Sequence, residues 1–181
     1  MTANKGSGGG NITPLKPKAV LGGKAGDSAK NGRPVKKRAV HAQQMLNEAY
    51  EYQPLPSSFS RALRVDLQGS TMLFISGTAS VDENGDSIHI GDFRAQTRRT
   101  LENVKALLEA EGFSWHDVVK TTCYLRDIER DYDAFNEVRT QFYDEEALDP
   151  LPASVGVQAH ICRANLLVEV EALAIREHDD E

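Results

Sequence analysis

Two carboxylates near the end of the chain stand out first. Along Leu166–Ile175 the residues alternate, with Leu166, Val168, Val170, Ala172 and Ala174 on one side and Leu167, Glu169, Glu171, Leu173 and Ile175 on the other. The first set is wholly apolar and predicts a face packed beneath other elements. The second places Glu169 and Glu171 two residues apart on one strand face, between Leu and Ile side chains. Acids in such surroundings are costly unless they have partners or a chemical purpose. A carboxyl group held among apolar neighbours has a raised pKa and can exchange protons near neutrality. The structural alternative is that both pair with arginines across a subunit interface.

The preceding segment alternates as well. Ala153, Val155, Val157 and Ala159 share one side, and Ser154, Gly156, Gln158 and His160 the other. If Ile161–Ala164 makes a turn, antiparallel pairing would set Gly156 near Glu169 and Ser154 near Glu171. The expected result is a polar strip suited to a ligand cleft or an interface. Other candidates are weaker. His160 reads as a strand-end histidine. Cys123 alternates with Val119 and Leu125 and reads as a core thiol. Cys162 has no activating base in view. The two cysteines form neither a disulfide framework nor a Cys-x-x-Cys metal signature.

These strands need a scaffold, and the pattern supplies one. Arg61–Gln68 and Met72–Ser76 read as strands joined at Gly69-Ser70, and Asn84-Gly85 is a tight-turn signal. Asp92 is a suitable N-cap for a helix carrying Phe93, Thr97, Leu101, Val104 and Leu108, with Gly112 as its stop. Val118–Leu125 is a strand rich in Val and Thr. Asp131 is the expected cap of a second helix with the stripe Tyr132, Phe135, Val138 and Phe142. Runs of strands with two helices predict an α+β fold: a mixed sheet with both helices packed on one face.

Charge divides the 181 residues. Residues 1–38 hold nine Lys/Arg and one acid, giving +8, whereas residues 39–181 carry −14. All twelve aromatic residues follow position 49, and eight of the fourteen glycines lie in the first 38 residues. A stretch of this composition cannot bury enough apolar surface to offset its ordering entropy. Residues 1–38 are therefore expected to be a disordered basic tail. Residues 39–58 are expected to be a linker with a short helix at 40–51, residues 59–176 one domain, and 177–181 an acidic end. Any nucleic-acid contact would run through the tail and would be non-specific and salt-sensitive. No apolar run approaches a membrane span, and no signal-peptide core is present, so a soluble protein of the reducing cytoplasm is expected.

Several motifs recur together in order: Phe74-Ile75-Ser76-Gly77, Gln96 with Asn103-Val104, Asp117-Val118-Val119-Lys120-Thr121-Thr122, Phe135-Asn136-Glu137, Pro152-Ala153, and Leu167-Val168-Glu169-Val170-Glu171-Ala172. Together they resemble the reactive intermediate deaminase family, also called YjgF or L-PSP endoribonuclease, over about Phe59–Ile175. The resemblance implies a chorismate-mutase-like fold, a homotrimer with clefts between subunits, and cofactor-free hydrolysis of enamines and imines to keto acids and ammonia. It implies Glu169 as the acid that activates water. Ser76 and Gly77 would line the cleft, with Asn136 on the second helix and Phe59 in place of a tyrosine. It also implies an arginine clamp for the substrate carboxylate where this chain has Ser154, with Gly156 two residues on. Arg61 and then Arg163 are the expected substitutes, since a hydroxyl cannot replace a bidentate guanidinium. That departure supports one alternative, a non-catalytic trimeric binder of a small metabolite or partner; Phe59-Ser60-Arg61 with Cys162-Arg163 supports another, a variant similar to the related domain of chorismate-processing hydrolases.

Overall fold

The first helix shows how local sequence sets the scaffold. Asp92 caps it by accepting from Ala95 N at 2.9 Å, and α1 runs Phe93–Glu109. Its apolar stripe, Phe93, Leu101, Val104, Leu107 and Leu108, is buried against the sheet. The computed structural model describes residues 35–54 and 56–178. Strands β1 (Lys36–Val40), β2 (Ala62–Leu67) and β3 (Ser70–Ala79) precede α1. Strand β4 (Val118–Leu125), α2 (Ile128–Glu145), β5 (Ala153–Gln158) and β6 (Val168–Glu177) follow it. They form one six-stranded sheet in the order β1-β2-β3-β6-β4-β5. Only β4 and β5 run parallel. The core lies between the sheet and the helices. Trp115 anchors it, its ring 5.6 Å from Phe142 and 5.4 Å from Tyr143. The fold is the expected α+β arrangement.

Five expectations need correction. Residues 36–38 belong to β1 rather than to a tail. Lys36–Val40 pairs antiparallel with β2, Arg38 bridges to Glu111, and Val40 is fully buried. The expected helix over 40–51 shrinks to one 3-10 turn at Ala49–Glu51, because Val40 is held in the sheet and Leu46 and Ala49 pack individually into the core. This segment is therefore part of the domain rather than a linker. The expectations for residues 1–34 and 179–181, including tail-borne nucleic-acid contact, lie outside the described residues.

The cap of α2 is Asp127, which accepts from Arg130 N at 3.1 Å. Asp131, one turn later, already donates its N–H to Asp127 O and binds the Arg130 guanidinium. Finally, β5 does not adjoin β6: β4 lies between them. The connection after β5 is no hairpin turn. Ala159 N continues the ladder to Leu125 O, and the Arg126 guanidinium gathers the carbonyls of Ile161, Arg163 and Leu166 into a crossing loop. No helix among the described residues is long and apolar enough to cross a membrane.

Candidate active site

Strand β6 alternates as its sequence requires. Val168, Val170, Ala172 and Ala174 are buried on the helix side, which turns Glu169 and Glu171 to the open face. Glu171 accepts a hydrogen bond from Tyr124 Oη of the neighbouring β4 at 2.8 Å. None of the hydrogen bonds among the described residues ends on the Glu169 carboxylate.

What faces Glu169 is a bulge in β3. Ile75 pairs with Ala172 and Thr78 with Val170, so Ser76 and Gly77 stand opposite Glu171 alone. An extra residue of this kind re-aims the chain and releases backbone groups from the ladder. The bulge is braced on both sides. Ser76 N donates to Arg61 O at 3.0 Å, Ser76 Oγ to Ser60 O at 2.8 Å, and Thr78 Oγ1 to Ser76 O at 2.8 Å. Gly77 is needed for contact reasons: a Cβ there would lie 2.1 Å from Glu169 Oε1.

Arg61, at the head of β2, is 3% exposed. Its Nε donates to Asn47 O at 2.8 Å and its Nη2 to Asn47 Oδ1 at 3.3 Å. The guanidinium groups of Arg61 and Arg163 lie 5.0 and 4.8 Å from the centre of the Tyr52 ring. Phe59 meets Tyr52 edge-on at 6.5 Å. Arg163 Nη1 donates to Gly85 O at 2.6 Å and Ser87 Oγ at 3.2 Å, tying the loop after β3 to the approach to β6.

Glu169, Arg61, Arg163, Phe59, Ser76 and Gly77 line a single cleft of about 790 Å³. Its electrostatics run in opposite directions. Burial raises the Glu169 pKa, Glu171 raises it further, and Arg61 opposes both. Burial lowers the Arg61 pKa, while Tyr52 and Glu48 counteract the loss. The result is a partly desolvated acid beside cations, none of which is in an ion pair among the described residues.

Asn136, Ser154 and Gly156 lie elsewhere in the chain. Ser154 pairs with Thr121 on the helix side of β4, and a Cβ on Gly156 would touch Tyr132 and Ile128 of α2 at 3.6 and 3.7 Å. The expected approach of Gly156 to Glu169 is thus absent within one chain, because β4 intervenes and the two face opposite sides of the sheet. Conversely, sequence reasoning missed Asn47 and Tyr52. Their only signal was an aromatic side chain inside a stretch read as linker. Among the described residues, no group of three or more His, Cys, Asp or Glu side chains is placed to hold a metal ion.

Residues 55–176 match the family model described as Endoribonuclease L-PSP. The chain belongs to that family. A RutC family protein of Pyrococcus horikoshii is 39% identical over 111 residues, covering 61% of this chain and 84% of the relative. The 3-aminoacrylate deaminase RutC of Acinetobacter baylyi is 36% identical over 107 residues, covering 59% and 81%. Among solved structures, E. coli TdcF with bound serine aligns with a TM-score of 0.63 at 30% identity, over 77% of this chain and 99% of that one. The L-PSP match begins after Asn47 and Tyr52, so part of the cleft wall lies outside it.

Proposed function

We propose that this protein hydrolyses small enamine or imine acids to keto acids and ammonia, with Glu169 as proton donor and acceptor. The carrying observation is the Glu169 carboxyl group itself. It is partly desolvated, free of an ion-pair partner and pressed against Gly77 in a cleft flanked by Arg61 and Arg163.

Protonated Glu169 delivers its proton to the substrate, making the C=N carbon electrophilic. Ionised Glu169 then takes a proton from the water that adds to that carbon. The proton passes to nitrogen, the C–N bond breaks, ammonia leaves with the bonding pair, and C=O forms as the hydroxyl proton returns to the ionised Glu169. A carboxyl whose pKa is pushed upward is matched to both halves of this exchange. Arg61 and Arg163 make the cleft attractive to an anionic substrate. The name of the Acinetobacter relative and the serine in TdcF support a small, amino-acid-derived substrate.

The assembly fits a homotrimer with clefts between copies, supported by Phe74, Val155, Val157 and Ile175, which leave 46, 45, 40 and 37% of their surfaces exposed. The test is ammonia and keto-acid release from 2-iminopropionate and 3-aminoacrylate. Glu169→Gln should reduce kcat/KM by about 10²- to 10⁴-fold, the usual contribution of a positioned acid–base group. Full activity in that variant overturns the mechanism.

A further inference from the structure

Arg163 is fixed at both ends, yet no opposite charge answers it. Its carbonyl accepts from Arg126 Nη2 at 2.7 Å and from Leu166 N at 3.1 Å, which secures the backbone of the loop before β6. At its head, Nη1 donates to Gly85 O and Ser87 Oγ. Gly85 is itself confined: its φ is +84°, and a Cβ there would fall 2.4 Å from the Asn47 side chain. No hydrogen bond among the described residues uses Arg163 Nε or Nη2. A guanidinium presents five N–H donors in a rigid fork, so the donors on those two nitrogens remain for a ligand.

Other arginines of the chain are not in this state. Arg64, Arg98 and Arg176 end on carboxylates. Arg126 pairs with no carboxylate among the described residues, but three carbonyls occupy its Nε and Nη2.

A second cation stands close by. The guanidinium groups of Arg61 and Arg163 both lie within 5.0 Å of the Tyr52 ring centre, so no more than about 10 Å separates them. Burial is the main cause of the lowered Arg61 pKa, and the Arg163 charge acts in the same direction. Like charges held this close repel, and anionic groups bound beside them would offset the cost. Two acids on the same wall, Glu51 and Asp86, are exposed and pair with neither arginine among the described residues.

The two cations also have an order along the cleft. Arg61 is the one that opposes the raised pKa of Glu169, which puts the reacting end of a substrate on the Arg61 side and its far end toward Arg163. A five-carbon diacid sets its carboxyl carbons about 5 Å apart, and each guanidinium pairs about 4 Å beyond, a span that suits two cations at this separation. The cleft, at about 790 Å³, lies in the range that encloses ligands well beyond three carbons.

We propose that Arg163 forms a distal subsite for a second anionic group, so that the preferred substrates are enamine or imine acids whose side chain ends in a carboxylate or a phosphate. The proposal rests on the deaminase reading above for its chemistry, and its test runs on binding, so that the two can fail separately. Calorimetry on the full-length protein compares stable keto acids: 2-oxoglutarate, 3-phosphohydroxypyruvate and, as a length-matched monoacid, 2-oxopentanoate. At least one of the two doubly acidic ligands should bind about 10- to 100-fold more tightly than 2-oxopentanoate, the effect of one added charge-assisted pair. Which of them does so distinguishes carboxylate from phosphate. Arg163→Gln should erase that advantage while 2-oxopentanoate keeps its affinity within threefold.

Equal binding of all three ligands by the wild-type protein overturns the proposal, and so does an advantage that survives in Arg163→Gln. A uniform loss for all three ligands in that variant means that Arg163 only holds the loop after β3, and it too refutes the subsite. Should Arg163→Gln fail to fold, Arg163→Lys, which keeps the charge without the fork, decides: a reduced advantage supports the subsite and an undiminished one refutes it. If no imine yields ammonia, the deaminase reading falls while the binding comparison still stands or fails by itself.

Discussion

Replacing Gly77 with alanine should separate activity from stability. A Cβ at this position would lie 2.1 Å from Glu169 Oε1 and 2.8 Å from Cδ. To reach ordinary contact near 3.4 Å, the carboxylate must retreat by about 1.3 Å. Gly77 is not among the residues with positive φ, so alanine meets no backbone strain. The clashing atoms are the far end of a flexible side chain, so folding absorbs the change easily. Reduced freedom of the unfolded chain contributes about 0.4–1 kcal/mol in the opposite direction.

Catalysis has no such tolerance. Misplacing a reacting group by about 1 Å costs about 100-fold, or about 2.7 kcal/mol of transition-state stabilisation. The expected Gly77→Ala protein therefore melts within a few degrees of wild type and loses about two orders of magnitude in kcat/KM for 2-iminopropionate. Combined with Glu169→Gln it should lose little more, because both changes act through one carboxyl group. Activity within threefold of wild type in Gly77→Ala, or full additivity in the double variant, would refute the reasoning.

Two further outcomes follow from the same geometry. Burial holds the Glu169 pKa above its ordinary value of 4.5, so between those values the folded state binds more protons than the unfolded state, and stability declines as pH rises through that window. Glu169→Gln should thus raise the melting temperature at pH 7 and lose the advantage near about pH 4, where both states carry the proton; a pH-independent gap contradicts the desolvated assignment. In α1, fully buried Asn103 donates to the carbonyls of Ala79 and Val81, both at 2.9 Å, and so secures the end of β3. Asn103→Ala removes both bonds while Val81 N still donates to Ala79 O and Arg99 Nε to Val81 O, and it should destabilise by about 1–3 kcal/mol in denaturant titration, with less than about 0.5 kcal/mol counting against it.

Legibility differed by element for physical reasons. The faces of β6 were readable because strand periodicity is two and one side of Leu166–Ile175 is entirely apolar. Strand order was not, because alternation describes faces and says nothing of neighbours. A turn after β5 and a crossing loop held by Arg126 look alike in sequence. Asp127 and Asp131 stand one turn apart, and composition alone does not rank them; the difference is that Asp131 N already bonds within the helix. The wall formed by Asn47 and Tyr52 has no periodicity at all. Those residues are ordered by distant partners, Arg61 and Arg163, which meet them only in three dimensions.

The distribution of ion pairs also bears on why Glu169 is suited to chemistry. Asp66 accepts from Arg64 Nε at 2.7 Å, and that bond draws its pKa down. Glu145, 2.6 Å from Arg98, is lowered in the same way. Such carboxylates are biased towards the ionised form, which suits holding structure more than passing protons. Glu169 differs in one respect: its nearest cation, Arg61, is already engaged by Asn47 and the Tyr52 ring. Arg61 is close enough to moderate the cost of the Glu169 charge, yet it forms no ion pair with Glu169 that would fix the acid in its ionised form. Asn47 and Tyr52 thereby act on the acid through the arginine. In the proposed mechanism, proton exchange at Glu169 depends on the guanidinium staying occupied where it is.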